Sequence, residues 1–361
     1  METHSIAPLD IGDPIPAVPL PSQTGAKVSP AQPPLAGHPL VLFASRTLDA
    51  PALDELAGFA RLHDRFAALG VKLLTVTGAD VAENAAIAGA HGLHFPILSD
   101  GPGRVLDLLG LPRAAASCSL VVDGNLRIVG RIGPQPGRPQ AEAALAACAP
   151  LAAALAEPAP VISRQAPVLL VPDVLSPALC QQLIELWAQG DKQENVATGS
   201  YASEPSAAGH PASQAPSVKR RSDWLMPEGP LNIEIRDILR RRVVPELRKA
   251  FDFQPERYET LRVGCYDAER GGYFRRHRDN VGPPEIQRRR FAMSLNLNDE
   301  YEGGEIRFPE YGNMLYRPPA RAALLFSCSL LHEAMEIRGG RRFVLLTFFF
   351  GPTPPTPTPS P

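Results

Sequence analysis

Residues 272–280 read Gly-Tyr-Phe-Arg-Arg-His-Arg-Asp-Asn, and the pair His277 and Asp279 decides how the C-terminal half of the chain is read. Consecutive residues of a strand point to opposite faces, so positions two apart project together and can grip one ion. A second strand must bring the third ligand, and His332 in Ser-Leu-Leu-His-Glu-Ala (329–334) is the candidate. Two imidazoles and one carboxylate on one side of an octahedral ion leave positions open, the arrangement associated with non-heme Fe(II) that activates oxygen. A His and an Asp two apart are a weak signal alone, because such pairs also occur as ordinary surface contacts. The ordered set that follows sharpens it: an acidic, Gly-rich turn Asp299 to Gly304, an apolar strand Ala322 to Phe326, His332, then Arg342 opening the apolar strand Phe343 to Phe350. A guanidinium at the mouth of a hydrophobic strand calls for a planar carboxylate partner, and a dicarboxylate co-substrate would supply one. Taken singly, His332 reads equally as a core histidine, Arg342 as a residue flanking the sheet, and Tyr266 as a strand aromatic. Alternation sends Arg341 to the face opposite Arg342.

Three stretches, 265–280 (CYDAERGGYFRRHRDN), 294–308 (SLNLNDEYEGGEIRF) and 324–350 (LLFSCSLLHEAMEIRGGRRFVLLTFFF), carry a further reading by their order and spacing. Over about residues 166–351 the chain resembles the 2-oxoglutarate and Fe(II)-dependent oxygenases of the prolyl 4-hydroxylase type. The resemblance implies an α+β double-stranded β-helix, or jelly roll, over 161–351. It implies that His277, Asp279 and His332 ligate iron and that Arg342 binds the distal carboxylate of 2-oxoglutarate. Tyr266 would donate its hydroxyl to the same carboxylate, and Asn296 stands where relatives often place another co-substrate contact, commonly a tyrosine. The implied reaction takes molecular oxygen, decarboxylates 2-oxoglutarate to succinate and carbon dioxide, and hydroxylates an unactivated C–H bond, with L-ascorbate as the expected reductant. A protein or peptide, with proline the first residue to consider, is the implied substrate class. A small-molecule substrate is the alternative, and a non-catalytic adaptor responsive to iron and 2-oxoglutarate is a reading of another kind.

The N-terminal part alternates apolar runs with amphipathic stretches: strand Leu40 to Ala44, helix Ala52 to Leu69, strand Val71 to Val76, helix Val81 to Ala90. Phe95 to Leu98 then precedes a Ser-Asp-Gly-Pro turn, and Ser119 to Val122 and Leu126 to Arg131 flank the hairpin signal Asp123-Gly124-Asn125. Such alternation argues for a sheet with helices on its faces, an α/β thioredoxin-like fold over 1–160. The wording from GDPIPAVPLP (12–21) through GHPLVLFASRTLDAPALDELAGF (37–59) to LHFPILSD (93–100) is similar to the peroxiredoxins. In that family a reactive cysteine sits just inside the helix after the first of these strands, where helix N-terminal dipoles stabilise its thiolate. Here the segment reads Asp49-Ala50-Pro51-Ala52-Leu53-Asp54, with no cysteine. Cys118 and Cys148 read as small buried hydrophobes, so the expectation is a peroxidase-dead scaffold for substrate docking, homodimerisation or stabilising the second domain.

Between the two parts lies the Ala/Pro-rich stretch 140–167, with one helix expected from Ala141 to Leu155 and Pro158, Pro160 and Pro167 as breakers. Ser176 should cap a helix with Leu179, Leu183 and Trp187 on its apolar face, and a second helix is expected from Leu231 to Phe251, its Arg240-Arg241-Arg242 triplet solvated. The segment 191–218 reads as disordered or as a lid, and the tail 352–361 as an extended, disordered Pro/Thr-rich stretch. Lys219, Arg220 and Arg221 together with Arg288 to Arg290 read as two basic loops at the site mouth, favouring an acidic or carbonyl-rich substrate. Nucleic acid is disfavoured, since the basic residues lack aromatic interleaving and the 361-residue chain has a net charge of −2. No apolar run approaches the roughly 18 residues of a membrane span. The start METHSIAPLD lacks the pattern of a secretory signal and the five cysteines form no paired framework, so the expected compartment is the cytoplasm.

Overall fold

The computed structural model describes residues 8–111, 117–195 and 218–351. The expectations for most of 191–218 and for the tail 352–361 therefore lie outside the described residues. Chain contacts divide the protein into two compact units, meeting in sequence at Pro160 and Val161. Among the described residues no helix is long and apolar enough to cross a membrane.

The first unit is built on a five-stranded sheet in the order Ile97–Ser99, Lys72–Thr77, Leu40–Ser45, Cys118–Val122, Ile128–Ile132. The first three strands are parallel and the last two antiparallel. Leu-Val-Leu-Phe-Ala-Ser (40–45) is buried along its whole length, as suits a parallel strand covered on both faces. The helix Ala50–Ala68 is the crossover to the next strand. Asp49 starts that helix by accepting from the Ala52 N–H at 3.1 Å. One face of the sheet buries Leu42, Leu74 and Leu120 with Leu106 and Leu109, and the other buries Val41, Phe43 and Leu73 with Phe59, Phe66 and Ala144. This is the thioredoxin-like layout that the alternating pattern predicts. Several boundaries shift by one or two residues, the strand expected from Leu126 beginning at Ile128. The third strand begins at Ile97, just after Pro96, which has no N–H to give a ladder. The single helix expected from 141 to 155 is two, Gln140–Ala147 and Ala149–Ala156, divided at Cys148 because Pro150 cannot close an intrahelical bond.

The second unit consists of two antiparallel sheets with apolar side chains between them. The larger runs Val168–Val171, Ala323–Ser327, Arg289–Asn296, Ile337–Phe350, Arg262–Asp267, Ser222–Leu225, Gln193–Glu194. The smaller runs Lys219–Arg220, Tyr273–His277, His332–Ala334, Ile306–Arg307, Leu315–Tyr316. Period-two alternation on the long strand sends Phe343, Leu345 and Phe349 outward and Val344, Leu346 and Phe348 inward. The outward set packs with Leu183, Ile235, Leu239 and Leu247 from the helices Pro177–Gln189, Pro230–Arg242 and Val244–Phe251. Burying a side chain such as Leu239, 0% exposed, stabilises by about 1.5–3 kcal/mol. The inward set meets Phe274, Ile306 and Ala334 from the smaller sheet and Phe308 just past its strand Ile306–Arg307, which closes the layers of a double-stranded β-helix. The helix expected from 231 to 251 is again divided, at Val243, with Pro245 opening the second piece. Of the arginine triplet, Arg240 and Arg241 pair with Asp237, whereas Arg242 is buried and donates to the Val174 carbonyl at 3.0 Å.

Candidate metal centre

His277 ends one strand of the smaller sheet and His332 opens the next, and the two are cross-strand partners. Their ring centroids lie 4.2 Å apart. Asp279 is not on the strand, as simple alternation predicts, but in the turn beyond it. Its N–H donates to the Cys328 carbonyl at 3.0 Å and its carbonyl accepts from Arg289 Nη1 at 3.2 Å. A register shift between Phe274 and His277 and this anchored turn bring the carboxylate round to the imidazoles. His277 Nε2 is 3.2 Å from Asp279 Oδ1, and His332 Nε2 is 3.4 Å from Asp279 Oδ2. One ligand atom from each of the three lies within 4.8 Å of the others, the only such buried group of three among the described residues.

Each imidazole is fixed by the backbone carbonyl two residues before it. His277 Nδ1 is 2.7 Å from the Arg275 carbonyl and His332 Nδ1 is 3.0 Å from the Leu330 carbonyl. A carbonyl only accepts, so both Nδ1 atoms donate and both Nε2 atoms are turned toward Asp279. Phe274 stacks on His277 at 3.5 Å between centroids, and Phe326 lies 4.6 Å from His332. Burial, then the neighbouring His277, draws His332 down to about 4, so it is neutral near pH 7. Burial alone would raise Asp279, but His332, His277 and Arg289 together hold its carboxyl well below the usual range. Two imidazoles and one carboxylate form a donor set for a divalent ion with open positions. At the rim Glu310 accepts from Arg278 and, at 3.0 Å, from the Leu331 N–H, tying together the segments that carry the three residues.

A cavity between the sheets links this trio to Arg342 and Tyr266, with Phe274, Phe326, Leu346 and Phe348 among its walls. Tyr266 and Arg342 are register partners on adjacent strands. Arg342 is 2% exposed, yet among the described residues its hydrogen bonds go only to neutral groups. Nε and Nη2 donate to Asn296 Oδ1 at 3.1 and 3.0 Å, and Nη2 also to Ser294 Oγ at 3.2 Å. Asn296 itself donates to Tyr301 Oη at 2.8 Å and to the Pro318 carbonyl at 2.6 Å. Its amide is therefore fully used behind Arg342, which makes it a residue that orients the guanidinium. Arg341 points the other way, to Asp267 at 2.9 Å.

The reading of two basic loops needs correction. Lys219, Arg221 and Asp223 are buried, with Lys219 Nζ 2.9 Å from Asp223 Oδ2 and the Arg221 fork 2.5 and 2.8 Å from the two Asp223 oxygens. Arg289 is likewise buried on Glu259, at 2.6 and 2.7 Å, while Arg288 and Arg290 on either side are exposed. A low-dielectric interior takes such charges only in pairs. The signal was present: Lys219, Arg221 and Asp223 recur at period two, a carboxylate ending two cations just before Trp224-Leu225. Arg221, Arg262 and Ser294 also line the cavity and were not singled out in the sequence as site residues.

Residues 11–130 match the AhpC/TSA family and residues 261–350 match the 2OG-Fe(II) oxygenase superfamily. Two curated proteins named PKHD-type hydroxylase, from Synechococcus strains JA-2-3B'a(2-13) and JA-3-3Ab, are each 24% identical over 188 residues, covering 50% of this chain and 77% of theirs. Among solved structures, a peroxidoxin BcpB of Mycobacterium tuberculosis aligns at 24% identity and TM-score 0.33, covering 40% of this chain and 94% of its own. A prolyl-4-hydroxylase of Pseudomonas putida aligns at 16% identity and TM-score 0.37, covering 52% and 95%. With a peroxiredoxin-like sheet ahead of a β-helix that gathers His277, Asp279 and His332, the chain is a fusion of an AhpC/TSA-family domain with a domain of the 2OG-Fe(II) oxygenase superfamily.

Proposed function

We propose that the second unit, residues 161–351, is an Fe(II)- and 2-oxoglutarate-dependent dioxygenase that hydroxylates an unactivated C–H bond, with a protein or peptide as the leading substrate class. The observation that carries the reading is the buried Arg342 fork, unmatched by any carboxylate among the described residues, lining the same cavity as the His-Asp-His trio. His277 and His332 would each hold the metal through Nε2, and Asp279 through a carboxylate oxygen. Arg342 takes the distal carboxylate of 2-oxoglutarate with Tyr266 beside it, and Asn296 keeps the guanidinium in place. Fe(II) and 2-oxoglutarate, when bound, would supply oxygen activation coupled to decarboxylation of 2-oxoglutarate to succinate and carbon dioxide, with ascorbate as the reductant. The apolar walls exclude water and position the substrate. The names of the Synechococcus relatives support a hydroxylase, and the prolyl 4-hydroxylase resemblance supports a peptide over a small molecule.

The test is an anaerobic titration with Fe(II) and 2-oxoglutarate, followed by admission of oxygen and assay of succinate. A weak visible charge-transfer band and succinate release are expected. In Asp279→Ala turnover should vanish because the ligand set is incomplete, and full activity there would remove the metal assignment. A charge-transfer band with no succinate from the wild-type protein would favour the adaptor reading.

The first unit, in this proposal, does no peroxide chemistry and serves as a scaffold or docking module. Ala52 stands in the first turn where a reactive thiol would lie, and all five cysteines are buried and unpaired. Burial raises Cys118 despite Arg131 nearby, and raises Cys148 to about 11. Consumption of hydrogen peroxide with a thiol reductant should be absent, and a Cys118-dependent rate would overturn this part.

A further inference from the structure

We infer that Arg221 is a positioning residue for the co-substrate carboxylate, acting through Tyr266, whose hydroxyl proton it directs into the cavity. The inference rests on the proposed function and adds a residue to its binding site. Arg221 Nη1 lies 3.0 Å from Tyr266 Oη. A guanidinium has no acceptor, so Arg221 donates and the phenol oxygen accepts. The phenol keeps its own proton, and among the described residues it has no other hydrogen-bond partner, although Tyr266 is 4% exposed and lines the cavity. A buried donor without an acceptor is costly, and the group that would satisfy it is an anion between Tyr266 and Arg342. The Arg342 guanidinium carbon lies 5.5 Å from the Tyr266 ring centroid, so one carboxylate can meet both.

The direction of the Tyr266 hydroxyl is imposed from behind. Asp223 grips the other edge of the Arg221 fork through both oxygens, at 2.5 and 2.8 Å, and Lys219 Nζ holds Asp223 at 2.9 Å. Gly264, two residues before Tyr266 on its strand, leaves the space in which this pair lies. A Cβ there would come within 2.9 Å of both Arg221 Cδ and Asp223 Oδ1. A glycine inside a strand, used for close approach, is what a built site requires rather than a chance surface contact.

The test is calorimetric binding of 2-oxoglutarate to the full-length protein loaded with Mn(II) in place of Fe(II), with Mn(II) affinity measured separately. Tyr266→Phe should weaken 2-oxoglutarate by about tenfold or more, the loss of one hydrogen bond to a charged group. Arg221→Lys keeps a cation for Asp223 but cannot also reach the phenol, and should fall in the same range. The double variant should bind no more weakly than the weaker single one, with Mn(II) affinity unchanged throughout. Should Arg221→Lys fail to fold, Tyr266→Phe still decides, since unchanged binding there overturns the inference. Unchanged binding in Arg221→Lys, or additive losses in the double variant, would also overturn it. If Arg342→Ala loses 2-oxoglutarate while Arg221→Lys does not, the proposed function stands and this inference fails; if wild-type protein binds none, both fail.

Discussion

Arg342 is the residue whose environment asks most plainly for a ligand. It is buried, its fork is oriented by Asn296 and Ser294, and none of its partners among the described residues carries a charge. Removing one partner of a buried charge pair costs about 2–5 kcal/mol, so Arg342→Ala should weaken 2-oxoglutarate by roughly 30-fold to a few thousandfold while sparing metal affinity. Unchanged 2-oxoglutarate affinity would refute its role. Asn296→Ala removes only an orienting acceptor and should cost about 1 kcal/mol, near fivefold in the same titration; a loss as large as that of Arg342→Ala would mean that Asn296 touches the ligand itself. His277, Asp279, His332 and Arg342 stood out in the sequence because a His-x-Asp pair, a later histidine and an arginine opening an apolar strand are residue-type signals. Tyr266 came only with the family resemblance, and all five line one cavity. The roles of Asn296, Arg221 and Arg289 were not legible, because hydrogen bonding to another side chain leaves no mark on sequence spacing.

At the scale of elements, the sequence was legible where apolar runs were long, as in the parallel strands 40–45 and 72–77 and the apolar part 343–350 of the strand Ile337–Phe350, whose polar start 337–341 carried no such run. It was least legible at breaks. Pro150 and Pro245 sit where a helix can restart, and whether the chain bends there depends on packing that a one-dimensional pattern does not contain. The cap at Ser176, by contrast, was readable, and its Oγ accepts from the Leu179 N–H at 3.2 Å. Ser176→Ala should lower stability of the second unit by about 1 kcal/mol in urea titration; no change would mean that helix packing alone sets the start of that helix. The strand pair around Lys219 makes a pH prediction. Burial, then Arg221, pulls Lys219 from its ordinary 10.5 to about 7, against the opposing pull of Asp223. Between these values the unfolded chain holds more protons than the folded one, so the Lys219 contribution to stability grows from pH 7 toward 10 and is lost as pH falls through 7. Lys219→Met should flatten that rise, Asp223 retaining Arg221 as partner. An equally steep rise in the variant would show that Lys219 stays charged.

For the whole molecule, the two units have separate cores: Leu42, Phe43, Leu74 and Phe59 in one, Leu239, Val263, Leu345 and Phe349 in the other. The candidate metal ligands lie only in the second, on adjacent strands of its smaller sheet and the turn between the sheets, so an ion there links segments far apart in sequence. A ligand that binds only the folded state stabilises by mass action, about 2.7 kcal/mol at a hundred times its dissociation constant. For a unit of this size that amounts to a rise of roughly 5–10 °C in Tm. Scanning calorimetry of the full chain with and without Mn(II) should therefore show two transitions, of which one moves upward and the other stays in place. In Asp279→Ala the moving transition should become insensitive to metal while keeping its own enthalpy. A metal shift that survives Asp279→Ala would place the ion elsewhere. A single transition that moves as a whole would mean that the two units unfold as one, and that the peroxiredoxin-like unit lends its stability to the site rather than merely sharing its chain.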